Sequence, residues 1–260
     1  MTEPAIATSF RRITPTGEMS VVERELAEEV PIALEFNGIG YAVLMATPAD
    51  IDDLVAGFLV SERIQRTGDA VVPVSPHRAG AGIVARANLP SGQARLLLDR
   101  VRHRASDSSC GLCGIENIEQ AMRPLPSVTA SCEADDEAVF RALGEISLLQ
   151  ALNARTGAVH AAALVGADGS IRLVREDVGR HNAFDKLIGA MRRMEATWDG
   201  GFALLSSRCS FELVEKAALA NCPMLVTISA PTRLAVERAA EAGLKLRVLA
   251  RSDALLASSH

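Results

Sequence analysis

The sequence predicts an α/β protein with an antiparallel, β-rich amino-terminal part, and three observations predict it. Beyond Gly157, short apolar runs alternate with helix-periodic stretches, the pattern of a mostly parallel sheet packed against helices. Before that, over the first 100 residues or so, apolar runs follow one another directly and are separated by turn residues. The 260-residue chain is 48 % apolar and 23 % charged, ordinary values for a globular protein with a full-sized core. These patterns divide the chain into a β-rich subdomain over 1–104, a loop-rich connection over 105–134 and an α/β domain over 135–260.

Strands are expected over 30–36 (VPIALEF) and 40–46 (GYAVLMA), joined at Asn37-Gly38, a dipeptide that accepts the positive φ angles of a tight hairpin. Thr47-Pro48 then reads as a helix start, with Thr47 as cap, Pro48 at the first helical position and Asp50 in the first turn. Ile51, Leu54, Val55, Phe58 and Leu59 follow at helical spacing. Further strands are expected near 69–74, 81–88 and 94–101. A helix from about Asp136 to Arg155 stops at Thr156-Gly157, where glycine takes the left-handed C-cap. Strands near 158–166, 171–174, 201–206, 223–229 and 245–250 then alternate with helices near 182–194, 210–220 and 232–242. Either His181 or Asn182 suits the cap of the first of these helices.

Charge and composition narrow the function. A net charge of −5 speaks against general nucleic-acid binding, and 3 % aromatic residues leave no stacking platform for bases. No apolar run reaches the roughly 18 residues of a membrane span. The start, MTEPAIATSFRR, carries no leader-like apolar stretch, so a cytoplasmic location is expected. Of the 27 basic residues, 24 are Arg and three are Lys (Lys186, Lys216, Lys245). The bias suits a GC-rich genome, and arginine also makes bidentate phosphate contacts. Five cysteines, at 110, 113, 132, 209 and 222, make a poor disulfide framework.

Only Cys110 and Cys113 form a close pair, in SSCGLCG. This C-x-x-C spacing serves a redox pair, a persulfide relay or half of a zinc site. Zinc would need further ligands such as His103 or His160, which no spacing demands, so no metal is expected. A thiol role requires thiolate, and an unperturbed cysteine is only about 3 % ionised at pH 7. Arg100, Arg102 and Arg104, with the backbone N–H groups around Gly111 and Gly114, are candidates for lowering that pKa. The same arginines also read as the solvated side of a strand end.

The second unusual string is REDVGRHNAFDKLIG (175–189), which crowds Glu176, Asp177, Arg180, His181, Asn182, Asp185 and Lys186 around a helix start. SSRCSFELVEKA (206–217) and SAPTRLAVERA (229–239) have the same strand-to-helix placement. They offer Ser206, Ser207, Arg208 and Ser210, then Ser229, Thr232 and Arg233. Ligands of open α/β sheets bind beyond the carboxyl ends of the strands, where helix N-termini receive anions. Asp177, Arg180, His181, Asn182, Ser229 and Thr232 are therefore candidate ligands of a phosphate-bearing molecule.

SSCGLCG, TGAVHAAAL, EDVGRHNAFDKLIG, SSRCSFELVEKAA and SAPTRLAVERAAEAGLKL together resemble the FdhD family. EEVPIALEFNG and TPADIDDLVAGFLVSE extend the likeness over roughly residues 24–251. The resemblance implies a sulfur carrier needed for formate dehydrogenase activity, a cytoplasmic homodimer whose carboxyl-terminal part has a cytidine-deaminase-like α/β/α fold. It implies that a cysteine desulfurase gives sulfur to the cysteine pair as a persulfide, on Cys110 with Cys113 beside it. From there the sulfur would pass to the molybdenum of bis(molybdopterin guanine dinucleotide), a bound substrate later inserted into formate dehydrogenase apoenzyme. By the same resemblance the cofactor-binding stretch falls on Leu249, Ala250, Arg251, Ser252, Asp253 and Ala254. The chain departs from the family pattern at Arg63 and Ser207, where glycine is usual, and Arg251-Ser252-Asp253 lacks a Pro-Gly pair. His160-Ala161-Ala162 is similar to the His-Ala-Glu of zinc deaminases, but Ala162 stands in place of the acid/base glutamate, so deamination is not expected. Two other classes of function compete: a thiol–disulfide oxidoreductase, and a chaperone that binds the cofactor without transferring sulfur.

Overall fold

The computed structural model describes residues 3–97 and 122–258. Cys110, Cys113 and the arginines Arg100, Arg102 and Arg104 lie outside the described residues. The chain opens with a two-stranded antiparallel ribbon, β1 (Ala5–Ile13) and β2 (Met19–Ala27). β3 (Val30–Phe36), β4 (Ile39–Ala46), β5 (Val74–Ala79) and β6 (Gly82–Ala87) form a four-stranded sheet in the order β4-β3-β6-β5. Its central pairing, β3 with β6, is parallel, and the outer two are antiparallel. The β3–β4 turn has φ of 53° at Asn37 and 78° at Gly38, as the dipeptide predicts.

Helix α1 (Ile51–Ser61) covers this sheet with Leu54, Val55, Phe58 and Leu59, which pack on Ile32, Leu34 and Phe36. Its start differs from expectation. Asp50, at φ 52°, is the N-cap residue, while the Thr47 hydroxyl accepts from the Val178 N–H instead. Pro73 has no N–H to donate, and the strand expected at 69–74 begins only at Val74. Residues 91–97 are helical where a strand was expected, because the Pro90 carbonyl accepts from the N–H groups of Gln93 and Ala94.

The second half is built on a six-stranded sheet in the order β12-β11-β10-β9-β7-β8. The strands are β7 (His160–Val165), β8 (Ile171–Asp177), β9 (Phe202–Leu205), β10 (Met224–Thr227), β11 (Lys245–Val248) and β12 (Leu256–Ala257). The expected mostly parallel sheet is corrected to a mixed one: β9, β10 and β11 are parallel, and the other three pairings are antiparallel. The link from β7 to β8 is a tight turn through Gly169, too short for the crossover a parallel pair needs.

Helices cover both faces. Ala162, Leu164, Ala203, Leu205 and Leu225 face α4 (Arg180–Arg193), α5 (Phe211–Leu219) and α6 (Arg233–Ala242). The alternate residues Ala163, Val165, Phe202, Leu204 and Val226 face α2 (Asp136–Glu145). Side chains alternating between two buried faces explain why these strands read as continuous apolar runs. The helix expected over 136–155 is broken. A 3₁₀ turn, Ile146–Leu149, follows α2, and α3 (Ala151–Thr156) restarts where the Glu176 carboxylate accepts from the N–H groups of Leu152 and Asn153. Gly157 ends it at φ 67°. The ribbon rests on α3, with Ala5 against Leu152 and Val159, and Arg155 paired to Glu25 at 2.6 Å.

The two sheets meet through α1 and α4. A Cβ on Gly57 would lie 1.8 Å from the Asp185 carbonyl oxygen, and one on Gly189 would lie 1.8 Å from that of Asp53. The helices therefore cross backbone to backbone. Gly57→Ala or Gly189→Ala should cost about 1–3 kcal/mol or more, because the clash is with main chain and no rotamer relieves it. Gly144→Ala, in α2 with open space around its Cβ, should instead stabilise by about 0.5–1 kcal/mol. Denaturant unfolding of the three variants measures both signs.

Candidate functional site

Strand register gathers the expected site residues along one edge. His160 pairs with Asp177, Ala162 with Leu205, and Leu205 with Thr227. The start of β7 and the carboxyl ends of β8, β9, β10 and β11 therefore share an edge, and α4, α5 and α6 all begin there. At Gly179 and Ser210, the N-caps of α4 and α5, the cap residue's own side chain accepts nothing from the first turn, whereas Thr232 caps α6 through the Ala235 N–H at 3.2 Å. In α5 the first-turn carboxylate of Glu212 accepts from its own N–H and from the Ser210 hydroxyl. The N-terminus of α4, with no acidic residue in its first turn, makes this edge receptive to anions.

Beneath it lies a buried ion pair. Lys186 Nζ is 2.6 Å from Asp177 Oδ2, and both side chains are fully buried. The ammonium also donates to the carbonyls of Thr47 (3.1 Å) and Glu176 (3.3 Å). Asp177 accepts in addition from the N–H groups of Thr47 and Gly179 and from the Asn182 amide. Asn182 donates its second bond to the Met45 carbonyl. It sits in the first turn of α4 and is not the cap, a correction that applies to His181 as well, since the helix begins at Arg180 after Gly179. Asp177 and Asn182, expected to touch a ligand, are thus occupied in holding the β8–α4 turn against the end of β4.

Arg180 and His181 are half-buried at the rim. Arg180 Nε and His181 Nε2 are buried atoms without a hydrogen-bond partner; the nearest carboxylate oxygen to His181, on Glu212, is 3.8 Å away. Burial first, then the charges of Arg180 and Lys216, push the His181 pKa down to about 4, against the opposing pull of Glu212. Burial and the Arg180 charge lower the His160 pKa too. His160 Nδ1 lies 3.5 Å from Ser206 Oγ, which accepts from the Ala161 N–H. Both imidazoles are thus held toward the neutral form, and the positive charges acting on them are those of Arg180 and Lys216.

The remaining loops are tied to one another through main chain. Ser229 N–H donates to Ser207, Leu249 N–H to Ser229 and Ala250 N–H to Thr227. Leu249 has φ 48° and Ala250 is buried, while Arg251, Ser252, Asp253 and Ala254 are exposed in a turn closed from Arg251 N–H to the Ala254 carbonyl. Ser229 is half-buried, and Thr232 and Arg208 are exposed. The thiols within the described residues are shielded. Burial pushes the Cys209 pKa up to about 12 and raises those of Cys222 and Cys132 as well.

A model of the FdhD/NarQ family matches residues 27–260. The chain belongs to this family. A sulfur carrier protein FdhD of Xanthomonas euvesicatoria pv. vesicatoria is 42 % identical over 94 % of this chain and 87 % of its own length. One from Variovorax paradoxus is 43 % identical over 90 % and 84 %. A solved protein of Desulfotalea psychrophila, provisionally described as a formate dehydrogenase accessory protein, has the same fold. Its TM-score is 0.75 at 20 % identity, over 98 % of this chain and 96 % of that one. Of the departures from the FdhD pattern, Arg63 has φ 55°, the conformation glycine adopts freely, and its guanidinium donates to the Pro124 carbonyl at 3.0 Å. Ser207 is buried.

Sequence reasoning named Lys186, Asp185 and Thr47 but not whom they pair with. Thr47 and Lys186 complete the buried network, and Lys216 pairs with Asp185 at 2.6 Å, with Ser61 donating to the same carboxylate. The scarcity of lysine was the available signal, since Lys186 lies within the apolar run of α4. Lys186→Met should destabilise by about 3–5 kcal/mol, since it leaves a buried carboxylate without its counter-ion; adding Asp177→Asn should return part of the loss, read by denaturant unfolding. His181 is neutral when folded and charges more readily when unfolded. Its contribution to stability is therefore complete above about pH 6.5 and falls as pH drops toward 4. His181→Gln should narrow the stability gap between pH 7 and pH 4.5, and an imidazole titration by NMR should find a midpoint near 4.

Proposed function

We propose that this protein is a sulfur carrier for formate dehydrogenase, acting through Cys110. The observation that carries the reading is 42 % identity, over 94 % of the chain, to a sulfur carrier protein FdhD. The state of the other thiols supports it, since Cys132, Cys209 and Cys222 are held protonated by burial and are poor nucleophiles. The C-x-x-C pair, to which the family resemblance assigns the sulfur, is therefore the candidate for this chemistry.

In this reading a cysteine desulfurase leaves a sulfane sulfur on Cys110 as a persulfide. The Cys113 thiolate attacks the inner sulfur of that persulfide, the S–S bond breaks, and hydrosulfide leaves as a Cys110–Cys113 disulfide forms. Hydrosulfide replaces an oxygen ligand of the molybdenum substrate, which departs as hydroxide. A dithiol reductant then returns the disulfide to two thiols. The substrate is bis(molybdopterin guanine dinucleotide), and its diphosphates match the anion-receptive edge in charge. Arg180, with its unpartnered Nε, the N-terminus of α4, and the exposed Arg208 and Arg251 are the groups suited to hold them. Ser229, Thr232 and the turn from Leu249 to Ala254 border the same edge. Asp177 and Asn182 serve by fixing the first turn of α4. The reading includes a cytoplasmic homodimer that delivers the sulfurated cofactor to formate dehydrogenase apoenzyme.

Incubation with a cysteine desulfurase and free cysteine, followed by mass spectrometry, should add one sulfur atom to the peptide containing residues 105–123. Cys110→Ala should abolish both that gain and activation of formate dehydrogenase, while Cys132→Ala retains both. A thiol–disulfide oxidoreductase would gain no sulfur, and a purely binding chaperone would still activate its client in the Cys110 variant. GDP, as a fragment of the cofactor, should bind in calorimetry with an affinity that weakens with salt. Arg180→Ala should reduce that affinity roughly tenfold, about 1.4 kcal/mol, without lowering the melting temperature in proportion.

A further inference from the structure

Among the described residues, the β1–β2 ribbon is supported at its base, where Ala5 packs on Leu152 and Val159 and Glu25 is paired to Arg155. Strand register gives the ribbon two faces. Ala5 with Ala27 and Ala7 with Glu25 lie on the face turned to α3. Ile6 with Leu26 and Phe10 with Val22 lie on the other. There Ile6 is 51 % exposed, Phe10 43 % and Leu26 42 %. A two-stranded ribbon alone is marginal in water at best, and open apolar side chains on one face mark it as a surface that another chain covers.

A second apolar face is open on the four-stranded sheet. α1 covers one side of that sheet. On the other side register aligns Val43 with Ala33 and Ala33 with Val84, and Met45 stands beside them against Pro31. Val43 is 66 % exposed and Met45 51 %. Glu35 borders this face, with Arg86 paired to it at 2.9 Å. The outer face of the ribbon carries Arg12 and Arg24, both exposed and without an ion-pair partner among the described residues. It carries no carboxylate.

The two faces match in size. Nine residues in each of two strands give the ribbon a face of about 30 Å by 10 Å, roughly 300 Å². Four strands of six to eight residues give the sheet a face about as large. Ribbon packed on ribbon would gather Arg12 and Arg24 of both copies in one contact with no carboxylate on either face. Sheet packed on sheet would leave both ribbons bare. A ribbon laid on the sheet of a second copy covers both apolar faces and brings its arginines toward Glu35. Given and received, two such contacts bury about 1,200 Å² in all, the lower end of what a specific interface needs. We propose that the β1–β2 ribbon is an arm that lies on the outer face of the four-stranded sheet of a second copy of this chain, each copy giving one arm and receiving one. The proposal rests on the homodimer included in the sulfur-carrier reading and names its interface.

The test weighs the full-length protein and two variants by light scattering and native mass spectrometry at micromolar concentration. Phe10→Glu spoils the arm and Val43→Lys spoils the sheet face. Both positions are exposed, so each variant keeps its fold, which its melting temperature checks. The wild type should be a dimer. Each variant carries its change twice per dimer, so its association should weaken about a hundredfold or more and leave monomers. An equimolar mixture of the two variants should recover a heterodimer. In it one arm and one sheet face are intact, and the other contact sets the introduced carboxylate against the introduced ammonium. A monomeric wild type overturns the proposal. So does a dimer formed by either variant alone, which puts the interface elsewhere, or a mixture that stays monomeric. None of these measurements reads sulfur on Cys110, so the sulfur chemistry and the arm exchange fail separately.

Discussion

The ion pair between Lys186 and Asp177 is the interaction on which the rest of the site depends. Two fully buried charges 2.6 Å apart are tolerable only because the other groups around them are satisfied. The ammonium has Thr47 and Glu176 carbonyls for its remaining protons, and the carboxylate has two N–H groups and an amide. These partners come from distant parts of the chain. Thr47 follows β4 in the amino-terminal half, Glu176 and Asp177 close β8, and Lys186 is in the second turn of α4. One pair of charges thus fixes where the first sheet ends, where α4 starts and which way Arg180 and His181 face. A wholly apolar knot could supply similar burial, but it would not hold the Gly179 N–H and the Thr47 main chain in register with the same carboxylate.

The glycine crossing acts in the same direction. With Gly57 and Gly189 bringing main chain against main chain, α1 has little freedom to slide along α4. Polar contacts flank the crossing on both sides. Asp53 accepts from Arg175 and Arg193, and Asp185 from Ser61 and Lys216. Asp185 is buried, and desolvation pulls its pKa upward while Lys216 beside it pulls the other way. The amino-terminal half places none of the expected ligands at the anion-receptive edge. Its contribution is to brace α4, so a defect in the first sheet reaches the site through this helix.

What the sequence made legible follows from how each element is buried. β7, β9 and β10 are buried on both faces, and their apolar runs announced them; the same holds for the helices between them, whose apolar stripes face one core. Glycine at 157 and Asn37-Gly38 carried their own backbone signals. The ribbon of β1 and β2 was not singled out, because its mostly exposed residues include Ile6, Ile13, Met19 and Val21 beside arginines and glutamates. Polar density in REDVGRHNAFDKLIG pointed to chemistry, yet two of its candidate ligands belong to a buried network. A string of polar residues at a helix start looks the same whether it faces a ligand or a second sheet. Only the tertiary position of Thr47, some 130 residues earlier, separates the cases.

Desolvation sets a constraint on where sulfur chemistry can occur. A packed core is the natural place for cysteine as a small hydrophobe, and Cys209 and Cys222 occupy such places with no residual exposure. The same packing raises their pKa, because the thiolate would lose its water and gain no cation in return. A thiol that must form a persulfide and then surrender it needs the opposite surroundings, with water or positive charge at hand. The fold therefore cannot host the reaction in its core, however many cysteines it buries there. On the sulfur-carrier reading its contribution lies in the rigid edge, where the start of α4 and an arginine free of hydrogen bonds at Nε present positive charge. If the proposed reading holds, an anionic sulfur acceptor at this edge would meet its donor without competition from the protein's own buried thiols.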